Sequence, residues 1–284
     1  MTPQSITRES LPALAKQAGH KFDHGHALVL CGGPGRTGAA RMVARAALRA
    51  GAGLVTLGVP PAAQLEVAIQ VTAVMLHRLK DAADLTTLLE DSRLNALCAG
   101  PALGLDSRAA GLVRSVLDSR RPCVLDADAL TLMARDPLLS GQLHDRCVLT
   151  PHGGEFARLF PDLAADLGDD PHLDDKVSAT RAAAARVGAV VLFKGVDTVI
   201  ADPDGGCAVH SARGDRAAPW LATAGAGDVL SGMIVGLLAR GFAPTKAARA
   251  ASWLHVSCAL SFGPGLIAED LPDLLPAVLR KLAP

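Results

Sequence analysis

Between Ala27 and Phe193, short apolar runs alternate with longer amphipathic segments rich in alanine. Strands covered on both faces read as continuous apolar runs, and intervening helices carry the chain back to start each next parallel strand. The alternation therefore points to an α/β fold, a three-layer sandwich around a mainly parallel central sheet. The strands expected are Ala27–Cys31, Leu54–Val59, Ala96–Ala99, Cys123–Leu125, Cys147–Leu149 and Val190–Phe193. Composition and apolar spacing place helices at Ala39–Ala50, Ser107–Ser119 and Asp174–Val187. Past Phe193 the pattern changes: Asp197–Asp202 and Cys207–His210 flank the turn Pro203-Asp204-Gly205-Gly206 and read as an antiparallel pair at a mixed sheet edge. Helices at Gly227–Arg240, Thr245–Ser261 and Leu271–Leu282 complete the chain, the last two opened by Pro244 and Pro272. No tandem repeat or long linker divides the sequence. With Pro161–Pro171 as its weakest joint, residues 1–284 read as a single domain.

The chain carries 28 basic and 28 acidic side chains, so no net positive field exists to hold nucleic acid or an anionic membrane. With six Phe, two Trp and no Tyr, a platform for stacking nucleobases is hard to build. A small-molecule partner is expected. Residues 1–19 lack the apolar block of a secretory signal, and no apolar stretch has the length to span a bilayer. A cytoplasmic protein is the expectation. The six cysteines, Cys31, Cys98, Cys123, Cys147, Cys207 and Cys258, show no paired metal-ligand spacing. They read as buried free thiols rather than a disulfide framework or zinc site, and no residue is assigned as a metal ligand.

Two glycine loops are candidates for chemistry. Gly33-Pro34-Gly35-Arg36-Thr37-Gly38 matches a dinucleotide fingerprint, but the second strand ends Leu57-Gly58-Val59-Pro60 without the carboxylate that would hold a ribose, and no Lys follows Gly38. A redox Rossmann enzyme and a Walker-type NTPase are both excluded on those grounds. The amides of this loop could still receive an anionic group. The second loop, Ala222-Thr223-Ala224-Gly225-Ala226-Gly227-Asp228, opens a helix. Small residues let its amides converge at the positive end of the helix dipole, which suits a transferring phosphate. An Asp before a helix is ordinarily a cap; here the run of small residues favours a general base that takes a proton from a hydroxyl as phosphate reaches it.

These residues in this order resemble the ribokinase-like superfamily, whose Gly-x-Gly-Asp turn ends on a helix and supplies the base. Further segments narrow the likeness: Gly38-Ala39-Ala40 with Ala50-Gly51-Ala52-Gly53-Leu54, Gly100-Pro101-Ala102-Leu103-Gly104, Leu125-Asp126-Ala127-Asp128-Ala129-Leu130, Leu149-Thr150-Pro151-His152-Gly153-Gly154-Glu155-Phe156, Lys194-Gly195-Val196-Asp197-Thr198, and 221–232. Together they resemble the ADP/ATP-dependent NAD(P)H-hydrate dehydratases over residues 21–262.

The resemblance implies a ribokinase-like fold and dehydration of hydrated NADH or NADPH. A nucleotide, commonly ADP in bacteria, would phosphorylate the ring hydroxyl with Asp228 as base, and the ring nitrogen would then expel phosphate. It implies contacts to the hydrated nicotinamide nucleotide from Ala39, Gly104, His152 and Asp228. It implies phosphate contacts from Lys194, Gly195, Val196, Asp197, Thr198 and Gly227, with Mg2+ as counter-cation and Glu155 near it. Asp126 and Asp128 read equally as a strand-end turn and receive no catalytic role. A homotetramer is implied, and an NAD(P)H-hydrate epimerase encoded separately. The chain departs from the family's pattern at Gly153 (usually Pro), at Ala226 (usually Thr) and over Arg213–Pro219, where a polar approach to the anion turn is replaced. Two other readings fit the residues: a small-molecule kinase, for example of the hydroxyethylthiazole type, and a nucleotide-binding sensor without turnover.

Overall fold

The computed structural model describes residues 2–165, 167–168 and 171–282. Among them, ten strands form one sheet: β1 (Gln4–Ser5), β2 (His26–Leu30), β3 (Leu54–Val59), β4 (Met75–Arg78), β5 (Leu94–Ala99), β6 (Cys123–Leu125), β7 (Cys147–Leu149), β8 (Val190–Phe193), β9 (Asp197–Ala201) and β10 (Cys207–Ser211). Their order is β1-β10-β9-β8-β7-β6-β5-β2-β3-β4. β9 pairs antiparallel with β8 and β10 while every other pairing is parallel, so β9 alone runs against the rest. The mainly parallel sheet and its mixed edge stand where the apolar runs and the Pro203–Gly206 turn put them.

The helices are α1 (Gly38–Arg49), α2 (Gln64–Ala68), α3 (Ala82–Leu88), α4 (Ser107–Asp118), α5 (Asp128–Arg135), α6 (Pro137–Ser140), α7 (Gly153–Leu159), α8 (Pro161–Ala164), α9 (Leu173–Val187), α10 (Ala226–Ala239), α11 (Pro244–Phe262) and α12 (Leu271–Leu282). Successive strand residues point to opposite faces. In β2, Ala27 and Val29 join a core with Val43 of α1, Val229 of α10, Ala251 of α11 and Leu275 of α12. Leu28 and Leu30 join Leu85 of α3, Leu112 of α4 and Leu130 of α5. A third cluster, Phe156 of α7 with Ala183 of α9, Val191 and Phe193, covers the sheet toward β9 and β10. Two layers of helix therefore sandwich the sheet, and its central strands must be apolar on both faces.

The polar loop 161–171 begins as α8; its Asp166, Asp169 and Asp170 lie outside the described residues. β4 escaped sequence reading because it is an edge strand whose Met75 and Arg78 are exposed, which breaks the apolar run. No helix among the described residues is long and apolar enough to cross a membrane.

Helix α10 is buried almost all round, and it packs on α1 through glycines. A Cβ on Gly232 would lie 2.4 Å from the Val43 carbonyl oxygen and 2.7 Å from Ala46 Cβ. Val43 and Ala46 belong to rigid backbone, so the helices would have to part. Gly232→Val is expected to destabilise the fold by about 1–3 kcal/mol through overpacking, read as a lower urea midpoint at unchanged slope.

Candidate active site

β6, β7 and β8 are neighbours in the sheet, so the residues just past their C-terminal ends meet: Asp126 after Leu125, His152 after Leu149-Thr150-Pro151, and Lys194 after Phe193. In parallel sheets this edge is where ligands gather. Across it lies the N-terminus of α10, with Gly225 at its cap in the left-handed region (φ 87°). A Cβ on Gly225 would come within 2.5 Å of Met42 Cε. The left-handed backbone favours glycine here, whereas the Met42 thioether could swing aside.

Asp126 is only 2% exposed, and its carboxylate is fully engaged. Oδ1 accepts from Lys194 Nζ at 2.9 Å and from the Ala127 amide at 2.9 Å, while Oδ2 accepts from Ser231 Oγ at 2.7 Å. Ala127 sits at φ 49°, uncommon for a residue with a Cβ. Gly100, at φ 125°, admits the Asp126 carbonyl where a Cβ would be 1.7 Å from it. The Asp that read as a strand-end turn is thus the anchor of the site. Ser231, three residues beyond Asp228 on α10, was missed in the sequence, although i and i+3 share a helix face.

Lys194 Nζ also lies 3.7 Å from Glu155 Oε2. Burial opposes its positive charge, but the carboxylates of Asp126, Glu155 and Asp228 together outweigh that and hold its pKa above the ordinary lysine value. The ammonium is charged. Asp228 experiences the reverse: burial and repulsion from Asp126, only partly offset by Lys194, raise its carboxyl to about 6. A carboxylate near that value is ionised at neutral pH and still basic enough to take a proton.

His152 and Glu155 cap α7 reciprocally: the His152 amide donates to Glu155 Oε2 at 2.9 Å, and the Gly154 amide donates to His152 Nδ1 at 3.0 Å. Glu155 is 7% exposed while the His152 side chain is half exposed. The segment Lys194–Thr198 is held from below by Lys176, whose Nζ donates to Lys194 O at 3.0 Å and Asp197 O at 2.7 Å. A Cβ on Gly195 would lie 2.6 Å from that nitrogen. Lys176 was read only as part of a helix. Thr198 Oγ1 donates to Gly195 O at 3.1 Å, Asp197 Oδ2 accepts from Arg213 Nε at 2.8 Å, and Val196 is exposed.

Two cavities flank the anion turn, and Lys194, Gly195, Val196, Ala226 and Gly227 line both. One, of about 710 Å³, extends past Thr198, His210 and Arg213 to Ser252 and His255. The Arg213–Pro219 stretch that departs from the family pattern supplies part of its wall. The other, of about 760 Å³, extends past His152, Phe156 and Phe193. His255 and His210 at the back of the first are buried and pushed down to about 4, so both are neutral at pH 7.

Ala39, Gly104 and Asp228 line neither cavity, Asp228 following directly on Gly227, which lines both. Ala39 lies in the first turn of α1, and the Gly104 amide donates to Asp128 Oδ2 at 2.8 Å. A Cβ on Gly104 would come 3.7 Å from the Arg36 guanidinium, so the loop after β5 and the first glycine loop adjoin. In that loop the Gly35 amide and Thr37 hydroxyl donate to the two oxygens of Glu66 at 2.8 and 2.6 Å. The amide that the sequence left open to an outside anion is taken by the chain's own carboxylate.

A family model described as NAD(P)H-hydrate dehydratase matches residues 27–276. The bifunctional NAD(P)H-hydrate repair enzyme Nnr of Moorella thermoacetica is 39% identical over 97% of this chain and 53% of its own length. The chain spans about half the length of the curated relatives it matches. The ADP/ATP-dependent NAD(P)H-hydrate dehydratase of Bacillus subtilis, co-crystallised with ATP and Mg2+, superposes with a TM-score of 0.80 at 28% identity, covering all of both chains. A ribokinase-like superfamily protein of Enterococcus faecalis gives a TM-score of 0.80 at 22% identity, over 99% of this chain and 96% of that one. The sheet is thus a ribokinase-like one, and the chain belongs to the NAD(P)H-hydrate dehydratase family.

Proposed function

We propose that residues 1–284 act as one domain that dehydrates hydrated NADH or NADPH at the expense of a nucleotide, ADP giving AMP and phosphate. One observation carries the reading: a carboxyl raised to about 6, Asp228, stands beside the charged Lys194 at the positive end of α10. That set can accept a hydroxyl proton while holding a phosphate.

In this reading Lys194, Gly195, Val196, Asp197, Thr198 and Gly227 hold the nucleotide phosphates, and the cavity reaching to Ser252 and His255 receives the base. The cavity past His152 lies on the other side of the same turn and supports a place for the hydrated nicotinamide nucleotide, with His152 in its wall and Asp228 one residue beyond the Gly227 that lines it. Ala39 and Gly104 are kept as further substrate contacts on the strength of the family resemblance, Gly104 adjoining the Arg36 loop. Asp228 takes the proton as the hydroxyl is phosphorylated; the ring nitrogen's lone pair then expels phosphate, and loss of a ring proton restores the dihydronicotinamide. Excluding water from the phosphorylated ring falls to the buried floor of Asp126, Ser231 and Phe193. The donors suit Mg2+, a hard cation that takes carboxylate oxygens, water and phosphates: Glu155 would help hold it, leaving Asp228 free as the base, and when bound it would neutralise phosphate charge. That the Bacillus subtilis enzyme was co-crystallised with ATP and Mg2+ supports a nucleotide accompanied by this ion. We place the enzyme in the cytoplasm as a homotetramer, with an epimerase of the hydrate as its functional partner, an activity in keeping with the bifunctional relatives.

Mixing the protein with hydrated NADH, Mg2+ and either ADP or ATP should restore the dihydronicotinamide absorbance, and a control without nucleotide should not. A flat signal with both nucleotides overturns the reading.

Asp228→Asn should lower kcat by about 10²–10⁴-fold while nucleotide affinity changes little. The base must be ionised, so kcat/KM should rise with pH through about 6 and level off. Asp126→Asn removes a repelling charge and should move that limb to lower pH. A wild-type rate in Asp228→Asn would remove Asp228 from the role.

The same shift fixes the sign of a stability effect. The folded state holds the Asp228 proton more tightly than the unfolded state, so stability falls as pH rises from the ordinary aspartate range through about 6. Asp228→Asn should therefore stabilise the fold by up to about 3 kcal/mol near pH 8 and by nothing near pH 4. Denaturant midpoints at the two pH values check this.

A further inference from the structure

At the N-terminal ends of β6 and β7, opposite the proposed active site, Cys123 and Cys147 stand directly across from each other in the parallel ladder. Both thiols are fully buried, and their sulfurs are 3.5 Å apart. A tight turn, in which the Cys147 amide donates to His144 O at 2.9 Å, folds His144 over them. One donor atom from each of the three residues lies within 4.8 Å of the others. His144 is 4% exposed, its Nε2 is buried without a nitrogen or oxygen partner, and its ring interacts with the Cys147 thiol. Buried polar atoms are ordinarily satisfied, and an orphan asks for a missing ligand.

We propose that Cys123, His144 and Cys147 form a three-ligand site for a thiophilic d10 cation, Zn(II) or Cu(I). Two thiolates and an imidazole select such ions over hard cations, which want oxygen. Sulfurs 3.5 Å apart accommodate bonds of about 2.3 Å with a sulfur–metal–sulfur angle near 100°. Binding releases one proton from each thiol. The imidazole ligates through Nε2 with its proton on Nδ1, so the long 3.3 Å contact from the Arg146 amide to Nδ1 is given up. Zn(II) would leave the buried cluster neutral but seeks a fourth ligand, whereas Cu(I) is satisfied by three. Sequence spacing hid the site because Cys123 and Cys147 are brought together by strand pairing and not by a short loop.

The test uses the full chain, reduced and metal-free. It is titrated without oxygen against Co(II) and Cd(II), which report a zinc-type site, and in a second arm against Cu(I) held by a chromophoric chelator. One equivalent should bind, with a thiolate charge-transfer band that is lost in Cys123→Ala and Cys147→Ala, weakened in His144→Asn and kept in Cys98→Ala and Cys207→Ala. X-ray absorption on the wild-type complex needs no variant and should read two sulfurs and one nitrogen. The arm that saturates names the ion. The proposal is overturned if the reduced protein takes up none of these ions, if the band survives loss of either cysteine, or if the pair only closes to a disulfide in air. None of these outcomes bears on the dehydratase reading, because the site lies at the other end of the strands.

Discussion

The ion pair between Asp126 and Lys194 holds the C-terminal edge of the sheet together. Both charges are withdrawn from water, a costly state that persists only because each is fully engaged: Asp126 by Lys194, Ser231 and an amide, Lys194 by three carboxylates. Removing one partner would strand the other and cost about 3–5 kcal/mol. The pair also joins β6, β8 and α10, whose residues arrive from distant parts of the chain. It sets the electrostatics of Asp228 as well, since Asp126 pushes its proton affinity up and Lys194 pulls it down. Anchoring and tuning are here one interaction.

The sheet was legible because burial on both faces writes itself as apolar runs, and β2, β3 and β5 through β8 appear within a residue or two of where those runs lie. β1 and β4 were not, since an exposed edge strand carries no such signature. At the site, Asp228 was singled out by the small-residue turn before its helix, and Lys194 and Gly227 by the family resemblance. The parts that were not are those made by tertiary contact. Asp126 looked like a turn residue, and only the distance to Ser231 and Lys194 shows its role. Lys176 sits in a helix whose sequence says nothing of the loop it supports.

Glycine is used in this chain where backbone meets backbone or turns left-handed. Gly232 lets α10 touch α1, Gly225 turns the chain against Met42, and Gly100 admits the Asp126 carbonyl. Each fixes a height or an angle for the anion turn relative to the strand ends. The site's geometry is in this sense set by missing side chains as much as by those present.

The first glycine loop has a consequence for ligand charge. Glu66 is tethered to the same chain as the Gly35 amide and Thr37 hydroxyl it binds, so any free anion must compete with a rival at very high effective concentration. The turn before α10 has no side-chain cap, and the acid nearest its positive pole is Asp228 in the helix's own first turn. Two loops of similar spelling thus differ in what meets their amides: one is quenched by the carboxylate of a neighbouring helix, while the other carries its acid, Asp228, on the helix it opens.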